Sequence, residues 1–347
     1  MKPPRVYRAL PRRLRQRPVL IVGCGDVGQR IGKQLAARGL RVIGTVRASA
    51  RASALRAAGI VPLIADLDAP RPARLGAWPQ RLIQLAPPPA QGRDDPRTRR
   101  LVLAMAAARA RLIRRHTPVF ERWPAARQGN AASARTRALT TGAGGASPAR
   151  WVYMSTTGVY GDAGGACFDE TRSLAPTSER AVRRVAAEQH WRHAAARGQA
   201  RASILRVPGI YAHDRLPLDR LRAGLPALRA EDDVYTNHIH ADDLARICIA
   251  ALWRGQAGRV VHAVDDSDLK MGDYFDRVAD AAGLPRPPRL ARAELAARVS
   301  PAMLSFMQES RRLANRRLKR ELRVRLRLPS VDHTLAEAFS GVVKSMA

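Results

Sequence analysis

The sequence predicts an α/β fold built on a doubly wound parallel sheet, with a small C-terminal lobe. Three observations predict it. A short apolar run, Val19 to Val22, meets Gly23-Cys24-Gly25-Asp26-Val27-Gly28, and a helical pattern follows through Ile31 and Leu35 and stops at Gly39. Strand and helix signals then alternate: Leu40 to Val46, a helix from Arg51 to Ala58 ended by Gly59, Ile60 to Ala65, and Arg81 to Ala86 broken by three prolines. Further apolar runs, Trp151 to Ser155 and Ile204 to Val207, extend the series. Alternation of this kind implies a parallel sheet covered on both faces.

The first unit carries a complete G-x-G-x-x-G between strand and helix, which is the context of a Rossmann-like dinucleotide fingerprint. Gly23 permits the tight turn. Gly25 lets backbone approach a pyrophosphate, and Gly28 allows the helix to pack closely on the strand. Asp26 and Val27 open the helix, whose unpaired N–H groups favour phosphate. A nucleotide site of this type commonly has Asp or Glu about 20 residues further on. Here that place reads Gly44-Thr45-Val46-Arg47. Arg47, with Ser49 or Arg51, could meet a 2′-phosphate, so NADP is expected over NAD. The alternative is that an arginine simply falls there in an arginine-filled chain. Asp66 and Leu67, at the end of the next strand, are expected beside an adenine, or Asp66 caps a turn. Ala86, closing the Arg81–Ala86 strand, completes the expected cofactor contacts in this half.

Length and composition set the bounds. At 347 residues the chain can bury a large core. The formal net charge is +32, and only five of the 61 basic residues are lysine. The arginines are scattered rather than gathered with interleaved aromatics, so specific nucleic-acid binding is not expected. Cys24, Cys167 and Cys248 form neither a disulfide framework nor a zinc spacing, and Cys24 reads as a small filler of the glycine turn. No signal-peptide pattern or membrane-length apolar run is present, so a cytoplasmic protein is expected. The expected organisation is a basic tail over 1–17 and a nucleotide-binding domain over 18–210, with a disordered insertion at 116–149. Residues 211–235 would form a lobe, 236–264 return to the first domain, 265–329 complete the lobe, and 330–347 form a tail. No internal repeat is evident.

The second half holds an ordered series of motifs. Trp151 to Ser155 is followed by Thr156-Thr157-Gly158-Val159-Tyr160-Gly161. Then come Asp169-Glu170, Pro176, a helix from about Ser178 to Arg197, Leu205-Arg206-Val207-Pro208-Gly209, and Asn237-His238-Ile239-His240-Ala241-Asp242-Asp243. Together with the glycine turn, these resemble the extended short-chain dehydrogenase/reductase superfamily in its nucleoside-diphosphate-sugar epimerase/dehydratase branch, over about residues 18 to 329. The resemblance implies a nicotinamide cofactor, a small-molecule substrate held near the carboxyl ends of the strands, and hydride transfer at a carbinol or carbonyl carbon. A nucleotide-linked sugar is one such substrate. It leaves homodimerisation open and implies no membrane partner.

It also implies site residues. Thr156 stands at the place of the strand-end catalytic hydroxyl. Pro208 stands where the family's loop passes the nicotinamide carboxamide, and Arg206 beside it reads as structural. The family's Tyr-x-x-x-Lys aligns with Arg180 and Arg184, and arginine cannot shuttle a proton near neutrality. The Asp-Glu that follows the catalytic Thr in sugar dehydratases is replaced by Thr157-Gly158, which argues against that dehydration. Tyr160, Tyr211 and His213 are candidates for the missing acid, with Tyr160 and Tyr211 grouped with Thr156 as catalytic and His213 on the substrate. Arg180 and Arg184 could bind a substrate phosphate or carboxylate, or form an exposed basic helix face. His238 and His240 alternate on a strand, but capping of the next helix by Asp242 or Asp243 is expected over a metal site. An alternative function is a protein that has lost catalysis and senses NADP(H) or scaffolds a partner.

Overall fold

A computed structural model describes residues 18–69, 80–116, 148–299 and 301–339. The expected basic tail over 1–17 and most of the expected insertion at 116–149 lie outside the described residues. The strands of the central sheet are β1 (Val19–Val22), β2 (Val42–Val46), β3 (Val61–Ile64), β4 (Arg81–Gln84), β5 (Arg150–Thr156), β6 (Arg201–Val207) and β7 (Val260–His262). Their order is β7-β6-β5-β4-β1-β2-β3. The chain winds outward from β1 in one direction to β3 and then in the other through β4 and β5, with parallel pairing throughout that stretch. This is the doubly wound arrangement that the alternating pattern predicts. The described residues form two compact units. One comprises residues 18–69, 80–116, 148–154, 186–204 and 251–259, and the other 155–185, 205–250, 260–299 and 301–339.

In the first unit every residue of β1 is buried, as expected of a strand covered on both faces. Helix α1 (Asp26–Ala36) buries Val27, Gly28, Ile31, Gly32 and Leu35. Those positions form the apolar stripe that a 3.6-residue period produces. Helices α2 (Ala52–Ala57) and α3 (Pro96–His116) complete the alternation around β3 and β4. Pro62 sits on β3, the sheet edge, where a missing N–H breaks no ladder on the open side. Trp191 packs edge-on against Trp151 at 5.5 Å and stacks on Tyr153 at 6.1 Å.

The second unit carries the lobe. Helix α7 (Met271–Ala282) buries Tyr274, Phe275, Val278 and Ala279 against Leu221, Leu228, Leu295 and Met307. Residues 331–339, read from the sequence as tail, instead form helix α11 (Val331–Phe339), with Val331 and Leu335 buried in the same cluster. The i, i+4 spacing of those two residues was the available signal. Arginines bind this unit together by donating to distant backbone carbonyls. Arg289 reaches Leu228 at 2.9 Å, Arg292 reaches Met307 at 2.7 Å, Arg311 reaches Gly161 at 2.6 Å and Arg312 reaches Gly165 at 2.9 Å.

Candidate functional site

The glycine turn lines a cavity of about 480 Å³ in the first unit. Gly23 has φ +83°, and a Cβ there would lie 2.6 Å from the backbone nitrogen of Ala86. Its N–H donates to Thr45 Oγ1 at 2.9 Å, while the Cys24 N–H donates to the Thr45 carbonyl at 2.9 Å, so β2 holds the turn in place. Gly25 faces open space, with no atom within 4 Å of a Cβ built on it. Gly28 packs against the strand, where a methyl would meet Cys24 Sγ at 3.2 Å and Ile21 at 3.3 Å. The three glycines therefore have three different surroundings. Cys24 fills the space beneath the turn. Burial pushes its thiol up to about 12, so it stays protonated and unreactive.

Arg47, Arg51, Asp66, Leu67, Ala86 and Arg97 share the lining of this cavity with Gly23 and Gly25. Asp26 and Val27 do not. Asp26 turns outward to pair with Arg30 at 2.9 Å, and Val27 is buried in the helix packing. Asp66 Oδ1 accepts the Asp68 N–H at 2.9 Å, so its carboxylate shapes the turn as well as lining the cavity. Arg97 was not singled out in the sequence. Its guanidinium donates to Asp68 through Nε at 2.7 Å and Nη2 at 2.5 Å, and holds that carboxyl below its ordinary range. Nothing local marks this pair, because 29 residues separate the partners.

The second unit has its own cavity, of about 460 Å³. Thr156, Arg180, Arg184, Pro208 and Tyr211 line it, so five of the candidates from the second half meet in one place. Thr156 ends β5, and its Oγ1 accepts the Gly158 N–H at 3.3 Å. Arg180 and Arg184 project from the first turns of α4 (Glu179–Ala196). The Arg180 guanidinium lies 4.6 Å from the Phe306 ring centre, and burial, reinforced by the like charge of Arg184, lowers its pKa. Pro208, expected against the cofactor, lines this cavity and not that of the glycine turn.

Two of the proposed acids are occupied elsewhere. Tyr160 is fully buried and absent from the cavity lining; its oxygen lies 2.6 Å from His262 Nε2 and accepts from Arg206 Nη1 at 2.6 Å. Arg206, 1% exposed, stacks over the same ring, consistent with its structural reading. Tyr211 donates its phenol proton to Asp265 Oδ2 at 2.9 Å. Burial, with the Asp265 charge adding to it, raises the Tyr211 pKa far above the phenol range, and burial pushes Asp265 up to about 7. His213 does not line the cavity and stands 3.8 Å from Glu337.

His238, Asn237, Tyr274, Glu309 and Arg311 line the cavity and were not assigned to a substrate site from the sequence. His238 lies in the short strand His238–His240, and its ring centre is 4.3 Å from that of Tyr274. Burial pushes it down to about 4, so the imidazole is neutral at pH 7. Asp242 and Asp243 stand in the first turn of α6 (Ala241–Arg254), but Asp243 does not cap it in the manner expected. Its Oδ2 accepts the N–H groups of Arg327 and Leu328 at 2.8 and 2.9 Å, so the carboxylate fastens a passing loop. Among the described residues no group of three or more His, Cys, Asp or Glu is placed to hold a metal ion. No helix among them is long and apolar enough to cross a membrane.

The sheet order and the glycine turn at the end of β1 define a Rossmann-like α/β protein. More specifically, residues 130–264 match the model of the NAD dependent epimerase/dehydratase family. The motif series in the second half resembles that same family. A functionally unknown conserved protein from Silicibacter pomeroyi is similar in structure, with a TM-score of 0.70 and 29% identity, covering 94% of this chain and 98% of that one. MoeE5, solved with UDP-glucose and NAD, is similar with a TM-score of 0.64 and 19% identity, covering 95% of this chain and 100% of that one. The UDP-glucuronic acid 4-epimerase of Bacillus cereus, solved with NAD, has a TM-score of 0.62 and 15% identity, covering 95% and 99%. Among curated proteins, 2′-dehydrokanamycin reductase of Streptomyces kanamyceticus is 30% identical over 160 residues, 43% of this chain and 46% of that protein. The match therefore spans less than half of that relative's length.

Proposed function

We propose that the protein is an NAD(P)-dependent oxidoreductase or epimerase-like enzyme. It would act on a carbonyl or nucleotide-sugar type substrate without a Tyr-x-x-x-Lys pair. One observation carries the reading: Gly23 and Gly25 border a 480 Å³ cavity, with open space directly over Gly25 where a pyrophosphate would rest. A bound nicotinamide would supply or accept a hydride. Gly23, Gly25 and the N-terminus of α1 would hold the phosphates, and Asp66, Leu67 and Ala86 the adenosine end. Arg47 and Arg51 on the same lining favour NADP over NAD, since paired guanidiniums suit a 2′-phosphate. Thr156 would hydrogen-bond the substrate oxygen. Pro208 would stand beside the nicotinamide end and Tyr211 against the substrate. His213 would take part only if the substrate extends toward Glu337.

A second reading is an inactive NADP(H) sensor or scaffold. The observation favouring it is the acid inventory. Arginines stand at the tyrosine and lysine positions, Tyr160 is fully buried against His262 and Arg206, and Tyr211 is committed to Asp265. Calorimetry with NADP and NAD, followed by nicotinamide absorbance with a carbonyl and sugar-nucleotide panel, separates the two. Binding with turnover supports the enzyme. Binding without turnover supports the sensor. Flat calorimetry with both nucleotides sinks both.

A further inference from the structure

The second cavity departs from the family pattern at Arg180 and Arg184. They stand one turn apart on α4 and both line the cavity. What they bring is fixed positive charge and paired N–H donors, not a mobile proton. Three guanidiniums and one carboxylate line this space. The carboxylate, Glu309, is paired with Arg311 at 2.6 Å and accepts the Thr177 hydroxyl at 2.8 Å. Arg180 is held against Phe306 with its like-charged neighbour beside it, an arrangement that an anion would relieve.

A further observation relates this charge to Thr156. A methyl built on Gly158 would lie 3.7 Å from Thr156 Oγ1 and 4.0 Å from Glu309 Oε2. Glu309 also acts electrostatically on Arg180. The strand-end hydroxyl and the arginine end thus share one side of the cavity. Elsewhere the lining includes the rings of Tyr235, Tyr274 and Phe275, which suit a ring-sized body.

We propose that the substrate carries a carboxylate or phosphate close to its reacting carbon, and that this anion sits on Arg180 and Arg184 beside the Thr156 hydroxyl. The proposal rests on the oxidoreductase reading. It narrows the substrate to a hydroxy or oxo acid, or its phosphate counterpart, in place of a ring that is neutral at the reacting end.

The test uses the full-length protein and three probes that share one ring: glucose, glucuronate and glucose 6-phosphate. Thermal unfolding and calorimetry are run at constant ionic strength. The charged probes are expected to bind and stabilise, and glucose is not. The Arg180→Ala/Arg184→Ala protein is expected to bind them about 10- to 100-fold more weakly, the effect of losing charge-assisted hydrogen bonds. Arg192→Ala/Arg197→Ala, which removes two exposed arginines near the other end of the helix, is expected to leave binding unchanged. Should the alanine pair unfold, Arg180→Gln/Arg184→Gln keeps much of the side-chain packing and is expected to lose the same response. The better of the two charged probes distinguishes carboxylate from phosphate. Equal responses to charged and neutral probes, or equal losses in the two double variants, overturn the proposal. NADP calorimetry on the same proteins separates the failures. No nucleotide binding by the wild type sinks the oxidoreductase reading itself. Nucleotide binding together with an anion response untouched by the loss of Arg180 and Arg184 sinks only the anion seat.

Discussion

Tyr160 donates its phenol proton to His262 Nε2 across 2.6 Å. The direction follows from the other ring nitrogen. His262 Nδ1 lies 3.0 Å from the Ala314 carbonyl, which can only accept, so Nδ1 carries the ring proton and Nε2 is the acceptor. Arg206 donates to the same phenol oxygen at 2.6 Å. The hydroxyl is therefore part of a buried polar network, and its chemistry is structural.

Tyr160→Phe is expected to leave the His262 acceptor and the Arg206 donor unmatched in the interior. The cost is about 1–3 kcal/mol, the penalty for orphaned buried polar groups, read by urea unfolding. NADP binding is expected to stay at the wild-type level. A variant as stable as the wild type contradicts this account of the network.

Gly23→Ala and Gly25→Ala are expected to fail differently. At Gly23 the positive φ and a methyl 2.6 Å from backbone predict a loss of about 1–3 kcal/mol or more in unfolding experiments. At Gly25 the backbone is extended, with φ −81°, and the methyl meets nothing. Stability there should change by less than about 0.5 kcal/mol. Nucleotide affinity should fall about tenfold or more, because the methyl occupies the space the pyrophosphate needs. A Gly25→Ala protein with wild-type nucleotide affinity argues against the cofactor assignment.

Arg47→Ala is expected to weaken NADP by about tenfold or more, the worth of a charge-assisted contact, while leaving NAD within about twofold. Titration of both nucleotides by calorimetry reads the ratio. Equal loss for both would assign Arg47 to a part of the cofactor that NAD and NADP share.

Stability should depend on pH in a defined window. His238 and His262 are pushed down to about 4 in the folded state from an ordinary 6.5, so between those values the unfolded chain binds more protons at both. That makes stability rise with pH. Asp265, pushed up from 3.8 to about 7, acts in the opposite sense, because the folded state keeps its proton while the unfolded chain releases it. The net is one proton in favour of the unfolded chain. These three groups together should therefore lower stability by about 1.4 kcal/mol for each pH unit from pH 6.5 down toward 4. Urea midpoints across that range measure it, and Asp265→Asn should steepen the slope.

Much of this architecture is legible without coordinates, for reasons visible in particular residues. Val19 to Val22 and the turn after them announce themselves because apolar runs and glycine spacing are local signals. Arg180 and Arg184 are reached through the family resemblance, whose Tyr-x-x-x-Lys aligns with them, and the cavity brings them together with Thr156. Whether Tyr160 faces inward is decided by His262, 102 residues away, and no local pattern encodes that. Asp265 sits in a run of acids that reads as surface, yet is buried beneath Tyr211. The lobe's short strands escape periodicity for the same reason. Arg289–Leu290 pairs with Ala227–Leu228, and Arg312–Leu313 with Cys167–Phe168, over separations that two-residue segments cannot advertise.

The arginines that grasp remote carbonyls in the second unit have an evolutionary consequence. A guanidinium offers five donors in a rigid plane, whereas an ammonium offers a compact charge on a flexible stem. Drift from arginine to lysine at 289, 292, 311 or 312 would preserve net charge and still unfasten joints between segments distant in the chain. Charge-preserving exchange should accordingly be tolerated at outward-facing sites such as Arg192 and Arg197, and resisted at these four.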